Sequence, residues 1–167
     1  MPTYSLVTFS ASRLDEVAGQ WRQLAGDDVY EVELVPLFDF CRENRSFRPG
    51  YAVARGLQDD ETGLVVAILE TVPSPLRSRT KLLKIWLSPS MWSPDDVETI
   101  VHTYVGAYVS VLAEAISEGL TEVKMYGRDE TARIVLTNVC DMWDSAATGW
   151  VAKMEGRWLA LREAAQP

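Results

Sequence analysis

The stretch "KLLKIWLSPSMWSPDD", residues 81–96, decides the fold of this 167-residue chain. Its first half is apolar and carries the large side chains that favour strands. Ser93 is a good helix N-cap, Pro94 suits a first helical position, and Asp95 and Asp96 complement the positive end of a helix dipole. The sequence therefore predicts a strand that passes through a short turn into a helix.

The predicted helix is long and covers residues 94–118, with Gly119 as its stop. At 1.5 Å per residue it is roughly 35 to 40 Å long, enough to cross a whole sheet. Helical spacing predicts an inward apolar face made of Val97, Val101, Tyr104, Tyr108, Leu112 and Ile116. The same spacing predicts a solvent face with Asp96, Thr103, Ser110 and Glu114.

The hydrophobic patterns on either side extend this unit into an α/β (α+β) chain. A strand and a helix come first, and residues 29–44 fit both helical and alternating spacing, which we interpret as a short helix. A hairpin around residues 59–63 leads into the strand at 81–87, and a strand, a helix and a hairpin follow the long helix. The predicted order is β-α-α-β-β-β-α-β-α-β-β, a single domain over residues 1–167 with a mixed sheet of about seven strands and about four helices.

Composition excludes several functional classes. The chain has 24 acidic and 16 basic residues, a net charge of -8, which repels nucleic acid and anionic lipid surfaces. No uninterrupted apolar run approaches the roughly 20 residues of a membrane span. The first residues lack the basic and apolar regions of a signal peptide. We therefore expect a cytoplasmic protein that binds neither nucleic acid nor membranes.

Metal and disulfide sites are also not expected. Cys41 and Cys140 lie far apart in the sequence, and His102 is the single histidine. That set lacks the ligand spacings of zinc sites. Free thiols are favoured over a disulfide in a reducing compartment.

The order of elements resembles the GNAT (GCN5-related N-acetyltransferase) superfamily. In that comparison "KLLKIWLS" is the fourth strand, residues 94–118 the third helix, "EVKMYG" the fifth strand and "DETARIVLTNVCD" the fourth helix. The divergent GNAT-like proteins of short-tailed bacteriophages are more similar still, because they share a Trp in the fourth strand and another in the following turn. The resemblance spans about residues 50–163 and rests on pattern alone.

The resemblance implies that acetyl-CoA binds in a V-shaped gap between the fourth and fifth strands. We expect these two strands to run parallel and to separate beyond Leu87, because a long helix connects them. The implied cofactor-binding candidates are Ile85, Leu87, Ser88, Ser90, Trp92 and Ser93. Trp92 is also a candidate for binding a protein partner, since Trp is enriched at binding hot spots, or it packs against the helix entry.

The turn at residues 88–93 departs from the family pattern. Family members carry Arg or Gln and two spaced glycines here, whose N–H groups surround the CoA diphosphate. This chain has no glycine in the turn, Pro89 offers no N–H, and the acids that follow repel an anion. The basic residues before the turn either contact the phosphates or form a solvated rim; they are Arg77, Arg79, Lys81 and Lys84.

Catalysis in the family is direct attack of an amine on the thioester, with a carboxylate that takes up the proton and often a Tyr that protonates the thiolate. The position that matches this Tyr falls near Leu136, and the position of a frequent Asn falls at Asp129. Glu70 and Tyr126, each at the end of a strand beside the gap, are the remaining catalytic candidates.

Three readings of the function are compatible with the sequence. One is a divergent acetyltransferase, plausibly phage-encoded, that transfers an acetyl group from acetyl-CoA to an amine of a protein or small molecule. Another is a catalytically silent GNAT scaffold that binds a protein, either modulating a bacterial host protein or serving inside a virion. An antiparallel α+β binding module unrelated to GNAT is a third reading.

Overall fold

The computed structural model describes residues 3–76, 78–93 and 97–164, which contain one seven-stranded sheet. The strand order is β1-β2-β3-β4-β5-β7-β6. β4 and β5 pair in parallel, and every other neighbouring pair is antiparallel. The strands are β1 Tyr4–Thr8, β2 Val53–Asp59, β3 Val65–Pro73, β4 Arg79–Leu87, β5 Glu122–Tyr126, β6 Trp150–Glu155 and β7 Trp158–Glu163. The predicted mixed sheet and the parallel β4–β5 pair are confirmed.

The helices follow the predicted order with added detail. The segment interpreted as a short helix is helical, but a π-helical turn, Tyr30–Leu34, divides it. A 3₁₀ turn, Pro89–Met91, follows β4. The α-helices are α1 Ala11–Ala25, α2 Asp27–Val29, α3 Val35–Glu43, α4 Val97–Ser117, α5 Glu130–Asp141 and α6 Ser145–Thr148.

Two hydrophobic cores sandwich the sheet. On one face α1 and α3 pack through Trp21 and Phe38, whose rings meet edge to face at 5.7 Å between centroids. The indole N–H of Trp21 donates to the carbonyl of Val65 at 3.1 Å, which satisfies its buried polar group. On the other face α4 and α5 cover Leu82, Met125 and the rest of a larger core. Both faces of the central strands are thereby shielded from water.

The buried face of α4 differs from the predicted one. Tyr104, Tyr108 and Leu112 are buried as expected, but the predicted solvent residue Thr103 is buried as well. Its hydroxyl donates to the carbonyl of Thr99 at 2.8 Å, and this bond permits its burial. Val97 and Ile116, expected to point inward, are 59% and 49% exposed.

A close approach between α4 and β1 explains this change of face. A Cβ added to Gly106 would lie 2.2 Å from Cδ2 of Tyr4, so only glycine lets the helix come this near. One turn later the hydroxyl of Ser110 donates to the carbonyl of Tyr4 at 3.3 Å. Glu114, expected in solvent, forms an ion pair with Arg55 of β2. The contact with β1 turns Ser110 and Glu114 toward the sheet and Ile116 away from it.

The ends of α4 were only partly open to comparison with the sequence. The predicted starting residues Pro94, Asp95 and Asp96, like Arg77, lie outside the described residues. Gly119 has φ 71°, in agreement with its predicted role as the helix stop. By length and composition α4 could cross a membrane, although the expectation from the sequence was that no segment is long enough. Its Tyr104, Tyr108 and Leu112 belong to the larger core, as in the core helix of a folded domain.

Both cysteines are free thiols, Cys41 buried and Cys140 half-buried. Within residues 3–76, 78–93 and 97–164 no group of three or more His, Cys, Asp or Glu side chains is arranged to hold a metal ion.

Candidate active site

The sheet opens between β4 and β5. The parallel ladder runs from the Arg79–Glu122 pair to the Leu82–Met125 pair and ends there, while β4 continues to Leu87 along β3 alone. The gap therefore begins just after Leu82, five residues earlier than the predicted separation at Leu87. Residues 83–87 of β4 present a backbone edge that no strand of the described chain pairs on the side of the gap, so a ligand with amide groups has hydrogen-bonding partners there, apart from the Leu87 carbonyl, which accepts from Trp92.

A β-bulge produces the separation. Pairing between β3 and β4 shifts between Glu70–Lys84 and Thr71–Leu82, so Leu83 has no partner on β3. Such an extra residue bends its strand and increases the local twist. Because the bulge lies one residue beyond the last pair with β5, it turns β4 away from β5 at this point.

Side chains from α4, β5 and α5 fill most of the gap. The remaining cavity is only about 20 Å³. Its lining combines two cations, three phenols and a carboxylate with apolar groups: Lys84, Ile85, Tyr104, Tyr108, Tyr126, Arg128, Asp129 and Ala132. Any ligand that enters must therefore displace or reorient some of these side chains.

Two tyrosines of α4 form the back of the gap. The hydroxyl of Tyr104 lies 3.4 Å from Oδ2 of Asp129, the N-cap of α5. Burial, together with the nearby Asp129 carboxylate, raises the pKa of Tyr104 to about 12. The Tyr108 hydroxyl is buried and has no hydrogen-bond partner in the described part of the chain, and burial raises its pKa further. Both phenols are therefore neutral at pH 7, and that of Tyr108 has an unused donor.

Two cations meet at the mouth of the gap. The Lys84 ammonium lies 4.1 Å from the centroid of the Trp86 ring. Burial and the positive charge of Arg128 lower the pKa of Lys84, and the carboxylate of Glu70 opposes this shift. The positive charges of Lys84 and Arg128 repel each other, and an anion between them would offset this repulsion. The mouth of the gap is thus suited to a negative charge.

The two catalytic candidates border this cluster. Glu70 is the direct antiparallel partner of Lys84, and the two share the face of the sheet on which Trp86 packs against Phe40 of α3. Tyr126 ends β5, lines the gap, and packs on Trp158 with 4.9 Å between ring centroids. The structure therefore places Glu70 beside Lys84 and Tyr126 across the gap, and their catalytic roles remain predictions.

The turn after β4 uses its own N–H groups. The N–H of Ser88 donates to Val66, that of Met91 to Ser88, and that of Trp92 to Pro89. The Ser90 hydroxyl donates to the Ser88 hydroxyl at 3.1 Å. The bonds of Met91 and Trp92 form the 3₁₀ turn, the bond of Ser88 ties its start to β3, and together they occupy donors that a diphosphate would need.

The other cofactor-binding candidates are divided between the gap and the turn. Ile85 lines the gap, and Leu87 packs on the α4 side of the sheet. Ser93 is exposed, and Trp92 is 45% exposed. The indole N–H of Trp92 donates to the carbonyl of Leu87 at 3.2 Å, so this ring lies against the end of β4.

The basic residues of β4 do not form one group. Arg79 starts the strand at the end away from the turn, and its nearest carboxylate is that of Glu122, at 3.6 Å. Lys81 lies 6.0 Å from the centroid of the Trp158 ring. Of the described basic residues of β4, only Lys84 lines the gap.

Sequence reasoning missed the groups that dominate the gap. Tyr104 and Tyr108 were assigned to the core from their helical spacing, and their hydroxyl groups were not considered. Arg128 was not named, and Asp129 was considered only as a position where the family often has Asn. The signal for Arg128 and Asp129 is their place just after the C-terminal end of β5, where ligands bind in open α/β sheets; Tyr104 and Tyr108 lie on the crossover helix itself.

Comparisons with known proteins agree with this fold. No family model and no curated protein matches the chain. A Vibrio cholerae protein assigned as a ribosomal-protein-serine acetyltransferase aligns with a TM-score of 0.53 and 11% identity, over 97% of this chain and 93% of that one. The aminoglycoside acetyltransferase AAC(6')-Ib, solved with coenzyme A and kanamycin, aligns with a TM-score of 0.51 and 8% identity, over 96% and 95%.

These similarities establish the fold. The chain has the GNAT-like architecture predicted from its order of elements, with the gap between β4 and β5 as its most distinctive feature. Its activity has to be argued from the site itself, because one fold hosts many functions.

Proposed function

We propose that this chain is an N-acetyltransferase-type protein that takes acetyl-CoA into the β4–β5 gap and acts on an amine of a protein or small molecule. The observation that carries the proposal is the end of the β4–β5 ladder at Leu82 and Met125, which leaves the following edge of β4 unpaired beside a gap that Tyr108 also lines. We further propose that residues 1–167 act as one domain.

The gap and the turn fit acetyl-CoA to different degrees. The unpaired edge of β4 suits the amides of a pantetheine arm, and the Tyr108 hydroxyl offers a donor for a thioester oxygen or sulfur. The turn at residues 88–93 does not fit a diphosphate, because the N–H groups of Ser88, Met91 and Trp92 are already bonded. Binding energy is therefore expected to come from the acetyl-pantetheine end.

The chemistry requires an activated acetyl group, a proton acceptor and a site for negative charge. Acetyl-CoA supplies the thioester. Glu70 takes a proton from the acceptor amine, directly or through water. As the amine nitrogen bonds to the acetyl carbon and the carbon–sulfur bond breaks, Lys84 and Arg128 would stabilise negative charge at the mouth of the gap, and Tyr126 would donate a proton to the CoA thiolate that leaves.

A calorimetric titration with acetyl-CoA and with acetyl-pantetheine, which lacks the diphosphate and nucleoside, tests this proposal. We expect both ligands to bind in the low micromolar range, about -8 kcal/mol, and within about tenfold of each other. A panel of amines should then release a free thiol from acetyl-CoA in the presence of the protein. No heat from either ligand at millimolar concentration would overturn the proposal.

A second candidate is the catalytically silent scaffold that binds a protein. The observation in its favour is that the backbone N–H groups of Ser88, Met91 and Trp92 are already bonded, while the Trp92 ring is 45% exposed. If acetyl-CoA does not bind, Trp92→Ala distinguishes an anchor from a packing residue. An anchor loses about 2 kcal/mol or more of partner binding and little stability, and a packing residue does the reverse.

The sequence resemblance to GNAT-like proteins of short-tailed bacteriophages supports a finer proposal. We propose a phage-encoded protein that works in the host cytoplasm on a bacterial host protein or a small-molecule amine. Acetylation of purified host extract with labelled acetyl-CoA, compared between wild type and Glu70→Gln, would reveal such a substrate. The absence of any band dependent on Glu70 would count against it.

A further inference from the structure

A second and larger cavity lies at the opposite end of β4 from the gap. Its volume is about 380 Å³, within the range of about 300 to 1,000 Å³ that is common for small-molecule sites. The beginnings of β2 and β4 and the end of β3 form its floor. The last turn of α4 covers it, and Phe47, from the connection between α3 and β2, forms one side.

The lining is apolar with a balanced set of charges. Phe47, Val53, Ala115 and Leu120 supply apolar walls. Its charged groups are the two guanidinium groups of Arg55 and Arg79 and the two carboxylates of Glu114 and Glu118, and Thr71, Pro73 and Thr80 make up the rest. These four charges sum to zero, so the cavity favours a ligand that carries both signs over a net anion or a net cation.

The basic side has unused donors. Arg55 is 15% exposed and binds both carboxylate oxygens of Glu114 through Nη1 and Nη2. Its Nε is buried and has no hydrogen-bond partner among the described residues. Nη1 of Arg79 lies 3.6 Å from Glu122, too far for a hydrogen bond. A carboxylate in the cavity would accept from Arg79 and would lie near the positive charge of Arg55, whose buried Nε has no surface open to the cavity.

The acidic side is Glu118, just beyond the end of α4 at Ser117. Glu114 is already bound by Arg55, whereas Glu118 is exposed and forms no ion pair within the described residues. The negative end of the helix dipole adds to its charge. An ammonium group is therefore favoured at this rim.

We propose that this cavity binds a small zwitterion whose carboxylate faces Arg55 and Arg79 and whose ammonium faces Glu118, with an apolar frame between them. An amino acid with a large apolar side chain has this chemistry. The site is separate from the β4–β5 gap and does not depend on acetyl transfer.

Calorimetry with the full chain tests the need for both charges. The probes are L-phenylalanine, hydrocinnamate, which lacks the ammonium, and phenethylamine, which lacks the carboxylate. We expect L-phenylalanine to bind, and each of the other two to bind about tenfold more weakly or worse, because each leaves charged groups in the cavity without a partner. Absence of heat with millimolar L-phenylalanine, or equal binding of hydrocinnamate, would overturn the proposal.

Two matched pairs of variants locate the site. Arg79→Gln and Arg162→Gln each remove an ion pair with Glu122, but only Arg79 lines the cavity. Glu118→Gln and Glu98→Gln each neutralise an exposed acid near one end of α4, and only Glu118 lines the cavity. We expect Arg79→Gln and Glu118→Gln to weaken phenylalanine binding about tenfold, with the two controls unchanged. Affinity that is unaltered in both cavity variants would contradict the assignment.

Discussion

Leu82 and Met125 form the last pair of the parallel β4–β5 ladder, and the residue after Leu82 is the unpaired bulge residue of β4. The bulge bends β4 at the point where β5 ends its pairing, so one extra residue creates the gap. The tyrosines of α4 then close the back of this gap. The gap is thus formed by backbone geometry and not by a glycine-rich turn.

The buried face of α4 in the structure predicts that two truncations on this helix lower the free energy of unfolding by different amounts. Leu112→Ala should lower the free energy of unfolding by about 2 to 5 kcal/mol, because Leu112 is buried in the larger core. Ile116→Ala, one turn later, should cost less than about 1 kcal/mol, because Ile116 is 49% exposed. Urea denaturation measures both, and similar costs for the two variants would show that the helix face is misassigned.

Two helical glycines should respond in opposite directions to alanine. Gly106→Ala forces a Cβ against the ring of Tyr4 and should destabilise the protein by about 1 to 3 kcal/mol. Gly19 of α1 has open space at its Cβ position, so Gly19→Ala should stabilise by about 0.5 to 1 kcal/mol. Thermal and urea unfolding report both changes. A neutral Gly106→Ala would mean that α4 does not approach β1 so closely.

The Tyr104 phenol should make stability depend on pH in the alkaline range. Its pKa rises from 10.0 to about 12 in the folded state. The folded chain keeps this proton where the unfolded chain loses it, so the contribution is complete below pH 10 and is lost as the pH rises to about 12. Tyr104→Phe should therefore lose less stability than wild type over this interval. If urea denaturation shows that wild type and Tyr104→Phe lose stability equally between pH 10 and about 12, the Tyr104 hydroxyl is not buried as described.

Removal of the unpaired Tyr108 hydroxyl should be tolerated or favourable for folding. Tyr108→Phe deletes a buried group with no partner, and we expect a gain of up to about 1 kcal/mol. Tyr104→Phe, the matched control, loses its contact with Asp129 and should cost about 0.5 to 1.5 kcal/mol. The opposite order of stabilities would show that the Tyr108 hydroxyl has a partner in solution.

The order of elements and the parallel pairing of β4 and β5 could be predicted because hydrophobic periods and a long crossover helix specify them locally. The buried face of α4 could not be predicted, because it depends on the contact between Gly106 and Tyr4, which are far apart in the sequence. The start of the gap was misplaced because nothing in the apolar run of β4 distinguishes Leu83 as a bulge.

Some features of the candidate site could likewise be predicted from the sequence, and others could not. Tyr126 could be selected from its position at the end of β5, a local property, whereas Glu70, expected at a strand end, lies inside β3, which continues to Pro73. The environment of Lys84, set by Arg128 and the Trp86 ring, arises only when three separate segments meet. The same holds for the Tyr108 hydroxyl, whose lack of a partner depends on the packing around it.

The central claim, that the β4–β5 gap receives acetyl-CoA, is tested most directly by titrating wild type, Lys84→Met and Lys153→Met with acetyl-CoA in a calorimeter. Lys84 lines the gap, and Lys153 is an exposed lysine of β6. The account predicts low micromolar binding to wild type and Lys153→Met, and binding weaker by about tenfold or more to Lys84→Met. No heat and no thermal shift of wild type at millimolar acetyl-CoA, or equal affinity of all three proteins, would contradict it.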